Sequence, residues 1–290
     1  EPGAFDDGTS VNWTSDEKPV WGTCPIEAGE FALEFDPALT YDTGAGYEAA
    51  IYYEADAQGL DLEIDWGDGS ANSAITGASG TATHIYTNTT KRIVTISGGR
   101  GNIRFNGNSR STTGFTKVLR WGNFVHTDMT STFENCRDLS VVQAPDYPNT
   151  SICTSFSETF HQCYALQSFD LSQWNTTSAN NMFAMFAACY NFNGTGIESW
   201  NTSSVTDMSY MFDSSNFNQN ISLWNTSNVT NMEFMFSDTP YNQFMNSWNT
   251  SKVTNMSYMF SYATAFNQNI GAWNVSSVTD MSSMFENAEE

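Results

Sequence analysis

The sequence predicts a mixed fold, a β-sandwich followed by an α/β solenoid of about seven coils, on three observations. A phrase ending Met-x-x-Met-Phe, or a close variant, recurs through the second half at intervals of 24 to 27 residues. Short apolar stretches separated by Gly- and Asn-rich turns fill the span from about Phe31 to Ser97. No apolar run approaches the roughly 20 residues that a membrane-spanning helix needs. These divide the chain into an N-terminal arm at 1–25, a sandwich at 26–118 and a solenoid at 119–290.

In the arm, Val11 and Trp13 alternate with polar residues, and Val20-Trp21 follows. Alternation of this kind makes a strand that can add to an exposed sheet edge. The chain begins Glu1-Pro2 rather than with Met, which reads as a mature end left by a removed signal peptide.

In the sandwich, strands are expected at Phe31 to Phe35, Tyr47 to Tyr53, Leu60 to Trp66 and Lys91 to Ile96. Within it, Ile64-Asp65-Trp66-Gly67-Asp68-Gly69 and His84-Ile85-Tyr86 resemble the signatures of a polycystic-kidney-disease (PKD) domain. That resemblance implies an immunoglobulin-like module of surface proteins, with these residues in structural roles. Asp65 and Asp68 could alternatively form an acid–base pair, since two close carboxylates raise one pKa. An Asp before Gly more commonly bonds its own turn. A calcium loop would need the spaced Asp-x-Asp-x-Asp-Gly pattern, which is missing.

In the solenoid, the closing residues are Phe133, Phe160, Phe186, Phe212, Phe236, Phe260 and Phe285, and Trp200, Trp224, Trp248 and Trp273 lie twelve residues ahead of the later ones. A period of this size means stacked units. The apolar side chains of one coil gain roughly 10 kcal/mol on burial, less than the backbone entropy of ordering it at about 1–2 kcal/mol per residue. Val205, Met208, Met211 and Phe212 follow the spacing of one helical face, with Ser203 or Ser204 placed as its cap. A short strand is expected near Ile221. The Trp-Asn-Thr-Ser-x-Val-Thr-Asp-Met-x-x-Met-Phe pattern resembles the repeats of BspA-like surface proteins, relatives of the leucine-rich repeat, from about Gln173 to Asn287 and more loosely from Arg120 to Asp170. The resemblance implies a leucine-rich-repeat-like solenoid in an exported protein used for contact or scaffolding, with no catalytic residues to carry over.

Asp and Glu number 32 against 10 Lys and Arg, a formal net charge of −22, which disfavours nucleic acid and anionic membranes as partners. Residues 1–70 hold seventeen acidic groups and only Lys18, while seven basic residues lie between Lys91 and Arg120. Blocks of opposite charge can pair within a molecule or between copies. Cys136, Cys163 and Cys189 share one column, and coils stacked about 5 Å apart would permit a disulfide or a ladder of buried thiols. Cys153 and Cys24 complete the five. Candidate N-glycosylation sites include Asn12, Asn88, Asn149, Asn193, Asn220, Asn228 and Asn255, with Asn175, Asn201, Asn225, Asn249 and Asn274 in the repeated turn. His84, His126 and His161 stand apart in sequence, and no Gly-x-Ser-x-Gly, phosphate loop or Cys-x-x-Cys occurs. No catalytic, metal or cofactor site is therefore expected. A row such as Thr202, Thr226 and Thr250 also admits an ice-binding face.

The expected function is a structural subunit of an extracellular filament or cell-surface array, pilus-like and assembled head to tail. In it the arm adds a strand to the immunoglobulin-like domain of another copy, and the last coil's apolar edge is covered by a neighbour. The alternative is a cell-surface adhesin that binds a protein or glycan through the solenoid face.

Overall fold

The computed structural model describes residues 26–27, 29–40, 43–105 and 114–288. The arm residues Val11, Trp13, Val20 and Trp21, with Asn12 and Cys24, lie outside the described residues.

Among the described residues ten strands are formed: β1 Phe31–Phe35, β2 Tyr47–Glu54, β3 Leu60–Asp65, β4 Ser73–Gly77, β5 Ser79–Tyr86, β6 Arg92–Ser97, β7 Arg100–Arg104, β8 Phe115–Arg120, β9 Val125–His126 and β10 Val141–Val142. One sheet has the order β10-β8-β1-β6-β3-β4 and the other β5-β2-β7-β9. Alternation explains the strands. In β3, Leu60, Leu62 and Ile64 are buried while Asp61 and Glu63 face solvent. The two sheets share one core, where Phe35 of β1 stacks on Tyr86 of β5 with centroids 5.1 Å apart.

Of the pairings open to the two charge blocks, several form inside the sandwich. Lys91 lies 3.4 Å from both Glu34 and Asp36, Lys117 3.3 Å from Glu34, Arg100 2.6 Å from Asp56 and Arg104 3.1 Å from Glu54.

Strand β7 joins the two halves. It pairs antiparallel with β2 and parallel with β9, where Gly101 lies opposite His126. A Cβ on Gly101 would fall 2.6 Å from the Glu54 carbonyl oxygen, so this position admits only glycine. Just beyond, the Phe105 amide donates to the Thr132 carbonyl at 2.7 Å, and its ring stacks on Phe133 at 5.3 Å. The first face of the stack is thus covered by the sheets.

The second half overturns the α/β class and the leucine-rich-repeat-like solenoid. Among the described residues there is no α-helix, and the helical structure consists of two three-residue 3-10 turns, Pro37–Leu39 and Ile197–Ser199. The Met-x-x-Met-Phe stretch is a row of tight turns. In one such rung, the amides of Met208, Tyr210, Phe212 and Ser214 leave the coil and donate to the carbonyls of Asn231, Glu233, Met235 and Ser237 in the next, at 2.7–3.2 Å. The intervening amides of Met211, Asp213 and Ser215 bond back three residues within their own rung. A helix would keep every one of these donors to itself.

What diverts the chain is a pair of left-handed residues per rung, Tyr210 (φ 58°) and Ser214 (φ 53°) in this one. All fourteen non-glycine residues with positive φ among the described ones form such pairs, two in each of seven rungs. Each costs about 1–2 kcal/mol, which the inter-rung bonds and stacking offset. Replacing Ala188 (φ 56°) with Gly keeps its amide bond to Asp213 and removes the strain. The variant is expected to be about 0.5–1 kcal/mol more stable after the entropy cost of glycine. Ala179→Gly, buried and outside the left-handed set, should be less stable than the parent; urea midpoints for both decide the matter.

The core of the stack is columnar. Phe133, Phe160, Phe186, Phe212, Phe236, Phe260 and Phe285 stack in sequence with centroids 5.3–6.0 Å apart. Each indole of Trp200, Trp224, Trp248 and Trp273 donates to a carbonyl one rung back, at 3.0–3.2 Å. A buried indole N–H needs such an acceptor. The Met and Trp columns are packing.

Candidate functional site

The Asp65 and Asp68 carboxylates are committed to the turn between β3 and β4. Asp65 accepts the Gly67 amide at 2.8 Å and Asp68 the Ser70 amide at 3.0 Å. The second oxygen of Asp68 meets His84 Nε2 at 2.8 Å, and the His84 ring stacks on Trp66. Burial works to raise the Asp68 pKa, but hydrogen bonds from Ser70 and His84 outweigh it and hold the group down at about 2. Tyr86 completes the cluster by donating from its hydroxyl to the Trp66 carbonyl at 2.7 Å. A carboxylate held this far down is a poor general base near neutral pH. The arrangement clamps two strands to a turn.

His126 is wholly buried where β9 meets β7, ringed by Phe31, Trp121 and Phe124. Neither ring nitrogen has a hydrogen-bond partner among the described residues, and burial pulls the imidazole down to about 3.

The cysteine column is a ladder of thiols. Cys136 donates to the Phe105 carbonyl, Cys163 to Phe133 and Cys189 to Phe160, at 3.6, 3.1 and 3.0 Å. Of the two arrangements the spacing permits, the thiol ladder is formed and the disulfide is not, because each sulfur points at a carbonyl of the preceding layer. Burial raises the Cys163 and Cys189 thiols well above their usual range and Cys153 to about 12, so none of these three is poised as a nucleophile.

The glycosylation candidates separate by what their amides do. Asn88, Asn149 and Asn220 are exposed, and each uses its carbonyl oxygen to close a local turn. The Asn228 amide nitrogen donates to the Ser203 carbonyl at 2.7 Å and that of Asn255 to Glu233 at 3.2 Å. Asn193 is half-buried and accepts the Asn218 amide. Thr202, Thr226 and Thr250 are buried, each donating its hydroxyl to the next rung, so they cannot form an ice-binding face.

Two surface features were not legible beforehand. Over the rungs from Tyr190 to Tyr262, an open groove is lined by Ser214, Asn216, Asp238 and Thr264, with the two tyrosines more than half exposed. Nearer the joint, His161 faces Glu134 and Glu158. Both depend on columns read across rungs, and the signal available was the offset of each residue from its closing Phe.

Fold and surface together define a repeat protein of the all-β kind, a stack of hydrogen-bonded turn-rungs capped by two sheets. Among the described residues no helix is long and apolar enough to cross a membrane. The chain belongs to the family described as "Mycoplasma protein of unknown function, DUF285", which matches residues 105–196, 127–239 and 191–290. No curated protein and no solved structure matches the chain.

Proposed function

We propose that the chain is a structural subunit of an extracellular filament or surface array, built head to tail from copies of itself. The observation that carries this is the ladder of backbone bonds from rung to rung, which any exposed rung face can extend to another copy. The amides of Met281, Ser283, Phe285 and Asn287 hold the four positions that donate to the next rung everywhere earlier, and here they find no acceptor among the described residues. Beside them Val275, Met281 and Phe285 are about half exposed. Unfilled donors next to apolar side chains are a template for another strand.

The occupant assigned is a second copy. In sequence the arm, with Val11 and Trp13 alternating with polar residues and Val20-Trp21 following, has the pattern of a segment that adds a strand to another copy, and the resemblance to BspA-like and PKD-containing surface proteins supports an exported location. A further rung of a longer chain would fill the same face, and assembly state separates the two. Sedimentation velocity and negative-stain microscopy of the full chain should show linear polymers that lengthen with concentration. Phe285→Lys, or removal of residues 1–25, should give folded monomers. A full chain that stays monomeric at all concentrations overturns the reading.

The groove between Tyr190 and Tyr262 favours a second reading, a contact surface for glycans, since exposed rings with neighbouring Asn, Asp and Ser groups suit sugar faces and hydroxyls. Binding on a glycan array that Tyr190→Ala and Tyr262→Ala abolish would support it, and an empty array would sink it.

A further inference from the structure

The first two rungs bring together a constellation that the repeat pattern does not require. Glu134 and His161 each follow a closing Phe, so they stand in one column on adjacent rungs. The ladder fixes that register, with the Asn135 amide donating to the His161 carbonyl at 2.8 Å and the Phe133 amide to Thr159 at 2.8 Å. Within the second rung the His161 amide bonds the Glu158 carbonyl at 3.1 Å, which sets the two side chains side by side. Glu158 itself is one of the left-handed residues, at φ 55°.

The donor atoms converge. His161 Nδ1 lies 3.8 Å from Glu134 Oε1 and 4.0 Å from Glu158 Oε1, and one ligand atom from each residue falls within 4.8 Å of the others. These separations exceed a hydrogen bond, roughly 2.7–3.2 Å for a nitrogen donor. They sit close to the roughly 3.3–3.6 Å between neighbouring ligands on a cation with bonds of about 2.0–2.2 Å. An independent observation points the same way: His161 Nδ1 is closed off from solvent and has no hydrogen-bond partner among the described residues, which is costly for a ring nitrogen with nothing to bind. Both carboxylates are already oriented. Ser131 Oγ donates to Glu158 Oε2 at 3.3 Å, leaving Oε1 toward the imidazole, and Asn135 Nδ2 donates at 3.2 Å to Glu134 Oε1, the oxygen that faces the imidazole, using one of its two lone pairs.

We infer that Glu134, Glu158 and His161 form a binding site for one divalent transition-metal ion, Zn²⁺ or Mn²⁺ class, stapling the first rung to the second. One neutral imidazole and two carboxylates match the charge of such an ion, and the donor set is the nitrogen and oxygen mixture these metals accept. The side chains stay 24–29% exposed, so water can complete the coordination and the ion can enter from solvent. The nearest thiol column points into the core and takes no part. This inference is independent of filament assembly.

The test uses the full chain stripped with chelator and dialysed, then titrated calorimetrically with ZnCl₂ or MnCl₂ alone. One equivalent is expected to bind, and the thermal midpoint should rise with added metal. His161→Ala and the gentler Glu158→Gln, each checked for folding by circular dichroism, should weaken binding at least tenfold. Co²⁺ loading should give a visible absorption band that both variants lose. A chain that binds neither Zn²⁺ nor Mn²⁺, or variants that fold and bind like the parent, overturn the assignment.

Discussion

His126→Leu is expected to raise the unfolding free energy by about 1–3 kcal/mol at neutral pH, because it removes two buried nitrogens left without partners among the described residues. Leucine is close in volume and sits well among Phe31, Trp121 and Phe124. Later rungs already place Val205, Val229 and Val253 in the same column. The effect should grow in acid. The folded-state pKa lies near 3, against 6.5 for an imidazole in water, so the unfolded chain takes up the proton first. His126 therefore leaves stability intact above pH 6.5 and drains it as pH falls toward 3, by about 1.4 kcal/mol per unit. Between pH 6.5 and 5 the gap between variant and parent should widen by about 2 kcal/mol. Urea unfolding at the two pH values measures it, and parallel losses in both proteins would show that His126 is not the titrating group.

Phe212→Ala should cost about 3–5 kcal/mol, at the upper end for a buried ring. Its ring lies 3.7 Å from Phe217, 6.0 Å from Phe186 and 5.9 Å from Phe236, so it couples the rungs on either side alongside the backbone ladder. A stack transmits stability only between neighbours. The loss should therefore change the form of unfolding as well as its midpoint, splitting one calorimetric transition into two. Leu223→Ala, a side chain 87% exposed in the adjacent loop, should move stability by less than about 0.5 kcal/mol. Equal effects from the two variants would refute the columnar account.

The strands of the front half were legible because a period of two has few imitators. The stretches expected near Phe31, Tyr47, Leu60 and Lys91 coincide with β1, β2, β3 and β6. The repeat and its buried columns were legible for a similar reason, since the Phe, Trp and Met positions recur with almost no gaps. The helix was a misreading with a physical cause. Val205, Met208, Met211 and Phe212 are spaced as a helical face, but consecutive turns of three residues carry side chains inward at nearly the same intervals. The deciding feature, left-handed backbone at Tyr210 and Ser214, has no sequence mark, because these positions hold Ala, Tyr, Phe, Glu and Gln elsewhere rather than Gly. The cysteine column was placed correctly, but spacing says nothing of where a sulfur points. The Glu134, Glu158 and His161 group stayed hidden because it exists only once the register between two rungs is known.

The uniformity of the bonds between rungs bears on how such a chain changes over generations. Each of the first six rungs offers the same four amides to the rung that follows it, so a segment of about 25 residues can be duplicated or lost by copying slippage and the seam closes with no new chemistry. Rod length thereby becomes a heritable variable that shifts in whole steps, while the sandwich at its base keeps its shape.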